Sequence, residues 1–385
     1  MYENVMPMGS DPEVFIKPKG ARTATSAHLL DGVEVGTIKK DGFALEFHPR
    51  AGTCRDDMRS YFRNDLLQFN RAQPELELIA QPTMRLNAKS VDSNAPDDVM
   101  GYGCVPDFDA YSLKEKNPPT TGYHDNDRYT GGHMHFQLTA DGNGVSFMRA
   151  AAHAIMADIY LGIPLVAMLG KTNDFGEAKR RRYYGQAGSF RHTSYGFEYR
   201  VPSSIVFSSA PFTTWAFGQL RRAILEFNAY SKDIYAEGWS LEGGISDDQI
   251  IQTVEKWEKE PGFNTITKII NEHDVDAARS FVDEYDSWFY SDMYQRRFYD
   301  LLINADKEGV RLETNMLQGW NIGDLFTNPR SGPERVAHCY GIESAFTFVT
   351  QAERFANYKA HVPLIHKAIP PMKLIKTERW GSQAL

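Results

Sequence analysis

The chain has 385 residues, 42% of them hydrophobic and 12% aromatic, enough to fill the core of one large domain or two ordinary ones. Its net charge of -8 argues against non-specific nucleic-acid binding, which rests on Lys and Arg neutralising phosphates, although a local basic cluster can serve one small anion. Cys54, Cys104 and Cys339 are odd in number and far apart, unlike a disulfide framework, so a reducing cytoplasm is expected.

The N-terminus, MYENVMPMGSDPEVF, lacks the basic start and apolar run of a signal peptide. Strands follow over EVFIK, VEVGTIKK and GFALEFHP, separated by turns such as Asp31-Gly32 and Asp41-Gly42. Residues 55–72 place Met58, Tyr61, Phe62, Leu66 and Phe69 at helical spacing, and ELELIA suggests another strand. Residues 90–130, rich in Asp, Asn, Pro and Gly, read as a long irregular excursion of the kind that is often functional. Helices are predicted at 144–162 and 211–232, with a Gly-punctuated segment ending in a strand between them. The most apolar run, AHAIMADIYLGIPLVAMLG, is interrupted by Asp158 and Pro164 and falls short of the ~20 residues of a membrane span, so it reads as a buried helix in a soluble protein. Beyond 232 the pattern is helical (SDDQIIQTVEKWEKE, then DAARSFVDEYDSWFYSDMYQRRFYDLLINA), and the last 50 residues give no clear signal. The expected class is α+β: a mostly antiparallel sheet from the first 205 residues with packed helices and a helical C-terminal extension. The division expected is a catalytic core over 1–232 and a mainly helical accessory region over 233–385, either part of the same domain or a second subdomain.

Four segments share one oddity. GGHMHFQL sets His133 and His135 on one strand face, with Met134, Phe136 and Leu138 on the other, because strand side chains alternate. Asp11 and Glu13, Glu46 and His48, and Glu198 and Arg200 form the same polar pairs opposite apolar residues. A wet sheet face explains any one of these pairs. Together they concentrate carboxylates and imidazoles, with no Lys, and such a face repels itself unless divalent cations sit on it. Oxygen ligands with little sulfur suit Mg²⁺ or Mn²⁺, with an imidazole tilting toward Mn²⁺; zinc recruits more His or Cys. His48 reads as a hydrogen-bonding group instead.

KRRRYYGQAGSFRHTSYGFEYR adds arginines, whose planar fork matches phosphate or carboxylate oxygens. Arg180 and Arg181 read as a solvated charge run, whereas Arg200 shares a strand face with Glu198. Carboxylates holding metals on one side and arginines on the other describe a site for phosphoryl transfer from a nucleotide. GKTN at 170–173 lacks the upstream glycine of a phosphate-binding loop, so a nucleotide would lie on the open sheet face.

The ordered set Asp11-x-Glu13, Glu46, GGHMHFQL and YGQAGSFR…YGFEYRVPS resembles the phage-type carboxylate–amine ligases of the glutamine synthetase and glutamate–cysteine ligase superfamily, over about residues 9–205. The resemblance implies an ATP-dependent ligase that forms an amide bond through an acyl phosphate, with ATP and Mg²⁺ or Mn²⁺ as cofactors. It implies metal ligands at Asp11, Glu13, Glu46, His133 and Glu198. The nucleotide or its phosphates would meet His133 or His135, Arg182 and Arg191, and catalysis would use Arg200, Arg191 and Glu198. Those superfamily members carry Glu-x-Glu where this chain has Asp11-Pro12-Glu13, and the shorter Asp reaches less far. The expected partners are small-molecule or peptide carboxylates and amines. Nucleic acid and membrane are not expected, a homo-oligomer is allowed, and the location is the cytoplasm (the host's, if phage-encoded). A metal-dependent hydrolase holding zinc and a non-enzymatic binding protein on a ligase-like fold stay open as alternatives.

Overall fold

The computed structural model describes residues 7–91, 107–116, 126–138, 145–234, 262–285 and 293–320, with the single positions 248 and 252. Its strands are β1 (Met8–Ser10), β2 (Glu13–Pro18), β3 (Ile38–Asp41), β4 (Ala44–Phe47), β5 (Leu76–Ile79) and β6 (Thr83–Arg85), then β7 (Asp107–Asp109), β8 (Lys114–Lys116), β9 (Asp127–Tyr129), β10 (Met134–Gln137), β11 (Ser189–Thr193) and β12 (Gly196–Tyr199). They form a six-stranded sheet in the order β1-β10-β12-β11-β7-β8, a four-stranded sheet in the order β3-β4-β2-β5, and the pair β6-β9. Every ladder between named strands is antiparallel. The α+β class is as read from sequence, but the one sheet expected is two sheets and a ribbon. The chain passes from the six-stranded to the four-stranded sheet through Asp11 and Pro12. Proline has no N–H to leave unpaired at such a corner, and its carbonyl accepts from Phe47 N at 3.1 Å.

The helix over Arg55–Ala72 has the expected bounds. Cys54 Sγ accepts from Asp57 N at its start, and Asp56 and Asp57 face the positive end of the dipole. Its buried stripe of Met58, Phe62, Leu66 and Phe69 meets the core, and the Phe62 ring lies 5.0 Å from Phe207, 5.9 Å from Phe47 and 6.0 Å from Trp320. Tyr61 instead lies under the Arg50 guanidinium, 4.1 Å from the ring centre.

The apolar run departs from its expected bounds. It forms one element over Phe147–Leu169, long and apolar enough by length and composition to cross a membrane, yet its apolar window is entirely buried within the protein. Pro164 does not end it, because the π turn Asp158–Gly162 just before it re-registers the backbone where proline lacks an N–H and crowds the preceding turn. Asp158 is tolerated there because Tyr199 Oη (2.7 Å), Tyr111 Oη (2.9 Å) and Gly188 N (2.6 Å) all donate to it.

Two smaller expectations also change. VEVGTIKK becomes a strand only from Ile38, since Gly36 takes φ 58° and turns the chain. The 90–130 excursion, in its described parts, contains β7, β8 and β9 rather than irregular chain alone. Past residue 262, Ile266, Ile270, Val275, Val282, Phe298 and Trp320 belong to the same core cluster as the sheets. Trp320 Nε1 donates to Phe207 O at 2.8 Å. SDDQIIQTVEKWEKE, apart from positions 248 and 252, and the last 50 residues lie outside the described residues.

Gly196 opens β12 against β10, where a Cβ would lie 1.9 Å from Phe136 O. Gly196→Ala should therefore destabilise the protein by roughly 2–3 kcal/mol, the upper range for overpacking, read as a lower urea midpoint. An unchanged midpoint would show that this ladder has slack.

Candidate active site

Register builds the site. Across β1, β10, β12 and β11 the paired residues run Gly9, His135, Glu198 and Arg191, one per strand, all on one face. The other face carries Met134, Tyr199 and Phe190, which are buried. The alternation that set the histidines apart in the sequence therefore separates a polar face from the core.

Asp11, at the corner between the sheets, lies over this row. Its Oδ1 is 2.8 Å from His135 Nε2 and 3.6 Å from His133 Nδ1. His135 Nδ1 is also engaged, 2.8 Å from Tyr195 Oη. Both ring nitrogens of His135 thus have protein partners, and it is His133 that joins a metal-sized group. Asp11, His133 and Glu198 each offer a ligand atom within 4.8 Å of the others. Glu198 Oε2 accepts from Arg191 Nη1 at 3.0 Å, Glu198 Oε1 pairs with Arg200 Nη1, and Oε1 stands 3.4 Å from His133 Nδ1.

A second group lies on the four-stranded sheet. Glu13 and Glu46 are directly opposed on β2 and β4, and with Asp41 they form another set of carboxylates within 4.8 Å of one another. Gly131 N donates to Glu13 Oε2 at 2.8 Å, which joins this group to the approach of the His strand. His48 lies 2.8 Å from Glu46, a contact that suits the hydrogen-bonding role expected of it.

The charges show the strain of this crowding. Burial and then the Asp41 charge push Glu13 up to about 7. Burial and the charges of Asp11, Asp41 and Glu13 push Glu46 up to about 9. Asp11 moves the other way: burial opposes its charge, but the His135 hydrogen bond and the nearby His133, His135 and Arg200 hold it well below the usual carboxylate range. Burial, with Arg200 nearby, drives the His133 imidazole far down, leaving the neutral form that can bind a cation. Burial opposes charge on His135 as well, but Asp11 raises it overall. Two clusters of hard oxygen donors, one including an imidazole, fit Mg²⁺ or Mn²⁺ by donor chemistry. A bound cation would also relieve the repulsion that protonates Glu13 and Glu46.

The arginine run differs from its expected role. Arg180 and Arg181 are almost fully buried, not solvated. Arg180 donates to the carbonyls of Thr130 (2.8 Å), Val201 (3.0 Å) and Pro202 (3.1 Å), bracing the chain on either side of His133 and Arg200. Buried Glu177, 3.7 Å from Arg180 and 3.8 Å from Arg181, makes this possible. That partner was visible in the sequence as a Glu three and four residues before the two arginines. Arg182, by contrast, is exposed. Asp41, Tyr195 and Asp107 were not anticipated. Asp41 reads as a turn residue, whereas DFD at 107–109 shows the same polar alternation as the other four segments.

Residues 119–230 match the family described as phage phiEco32-like COOH.NH2 ligase-type 2. This segment is similar to that carboxylate–amine ligase family. Within the matched segment lie His133, His135, Arg182, Arg191, Glu198 and Arg200, while Asp11, Glu13, Asp41 and Glu46 come from strands before it. None of the curated proteins compared with the chain matches it.

The raised carboxyls set a sign for stability. Glu13 and Glu46 start from about 4.5 and rise to about 7 and about 9, so in the metal-free protein their contribution is complete below the lower value and is lost as pH climbs through the upper ones. In EDTA the melting temperature should fall between about pH 5 and about pH 9, and Mg²⁺ should restore most of it at the alkaline end. Glu46→Gln should flatten the fall. Parallel pH profiles for wild type and variant would show that Glu46 is not crowded.

Proposed function

We propose that the protein is an ATP-dependent carboxylate–amine ligase working through an acyl phosphate with Mg²⁺ or Mn²⁺. The observation that carries this reading is the pairing of two metal-sized clusters, Asp11/His133/Glu198 and Glu13/Asp41/Glu46, with two arginines on one of their members. Cations held by Asp11, His133 and Glu198 and by Glu13, Asp41 and Glu46 would supply positive charge against nucleotide phosphates.

The chain's own groups do the remaining work. A substrate carboxylate oxygen attacks the γ-phosphorus and ADP leaves, which converts a poor electrophile into an acyl phosphate. The amine nitrogen then attacks the acyl carbon, phosphate departs, and the nitrogen loses a proton. Arg200 and Arg191, held by Glu198, offer fixed positive charge where the transferring oxygens gain negative charge. Glu13, Asp41 and Glu46 would hold one cation, and Asp11 and His133, with Glu198, would hold the other. His135, braced between Asp11 and Tyr195, fixes the Asp11 carboxylate, which offsets the short reach of Asp in place of Glu. The substrates are small-molecule or peptide carboxylates and amines, and the reaction belongs in the cytoplasm, where ATP is supplied.

Calorimetric titration of ATP, with Mg²⁺ or Mn²⁺ and with EDTA, tests the reading. Wild type should bind only with metal, and Glu198→Gln, which keeps the shape of the buried side chain, should bind at least about tenfold more weakly. No nucleotide binding under any metal condition would overturn the proposal. Zinc in the purified protein with nucleotide-free hydrolysis would put a hydrolase in its place.

A further inference from the structure

The row of charges on the six-stranded sheet continues past Arg191. Phe190 pairs with Phe108, so the next step along this antiparallel ladder sets Asp107 of β7 beside Arg191, and Asp107 in turn pairs with Lys116 of β8. From β10 outward the row therefore reads His135, Glu198, Arg191, Asp107, Lys116, alternating in sign across five strands. Asp107 precedes the residues matched to the ligase family.

The Asp107 side chain is only 14% exposed, and its Oδ1 lies 2.6 Å from Arg200 Nε. Lys116 turns to Asp109, at 3.5 Å. Arg200 thus meets two carboxylates through two different nitrogens: Nη1 on Glu198 and Nε on Asp107. The Nη1 contact is a hydrogen bond, whereas the Nε contact is a close ion pair out of hydrogen-bond alignment, so Asp107 holds the guanidinium by charge from a second side.

The two carboxylates are not equivalent. Glu198, whose Oε1 meets Arg200 Nη1 and stands 3.4 Å from His133 Nδ1, also belongs to the metal-sized group with Asp11 and His133, so a cation there competes with the arginine for its carboxylate. Asp107 is outside both metal-sized groups. We propose that Asp107 is a positioning residue that keeps Arg200 aimed at the site once Glu198 turns to the cation. A purely structural ion pair would neutralise charge equally well but would not affect the response to a transferring phosphoryl group. The inference rests on the reading above that Arg200 acts on that group.

Two measurements on the full-length chain test it. In the first, Mg²⁺–ADP binding is titrated with and without aluminium fluoride, a mimic of the phosphoryl group in flight. Asp107→Asn should bind Mg²⁺–ADP within about twofold of wild type but lose the tightening by fluoride by about tenfold or more, with Asp107→Glu intermediate. Equal tightening in wild type and Asp107→Asn overturns the inference. In the second, the Arg200 Nε–H resonance, assigned by its loss in Arg200→Lys, is followed by NMR. A shifted or exchange-broadened signal in Asp107→Asn supports the inference, and an unchanged signal overturns it. If wild type gains nothing from aluminium fluoride, the nucleotide reading has failed, and the NMR comparison still decides whether Asp107 holds Arg200. Should Asp107→Asn not fold, Asp107→Glu carries both comparisons.

Discussion

The two-residue passage through Asp11 and Pro12 is the constraint on which the site depends. It takes the chain from the edge of the six-stranded sheet into the middle of the four-stranded one. That leaves Asp11 over His135 and His133 and places Glu13, two residues on, against Glu46. One short corner thus supplies an acid to each of the two clusters. Gly131 reinforces it, because its N–H grips the Glu13 carboxylate while its C=O accepts from Glu13 N at 3.0 Å.

Such a concentration of buried charge is costly, and the surrounding fold offsets it in two ways. Opposite charges are placed in register, so Glu198 sits between His135 and Arg191 on adjacent strands. Beneath them the apolar face of the sheet lies on a continuous core that includes the long helix over Phe147–Leu169, whose burial holds the strands rigid. The repulsion that remains falls on Glu13 and Glu46, which burial and the neighbouring acids hold well above the usual carboxylate range. A site that is electrostatically unfinished in this way is suited to receive cations.

Arg180 shows how a surface-like sequence can be internal. KRRR carries four cations in succession, and a solvated face is the ordinary reading. On the short helix Glu177–Arg180, however, Glu177 lies one turn before the arginines, and three carbonyls of the strand ends lie within reach of Arg180. Burial of an arginine becomes acceptable when a carboxylate and several carbonyls satisfy its donors. The same residue ties Thr130 to Val201 and Pro202, so it braces the two strand ends that carry His133 and Arg200.

The sequence by itself determined the class of the protein and most of the site's membership. Strand alternation marks Asp11, Glu13, Glu46, His133, His135, Glu198 and Arg200, because a period of two separates polar from apolar faces without any tertiary information. Helical spacing gave the helix over Arg55–Ala72 to the residue. Only the tertiary structure decided that the acids divide into two groups on two sheets, that Asp41 and Asp107 join them, and that His133 rather than His135 belongs to a metal-sized cluster. Those outcomes depend on strand order and cross-strand register, which are set by contacts between residues more than a hundred positions apart, such as Asp11 with His135. Periodicity shows which face a side chain occupies, but not which strand will lie beside it.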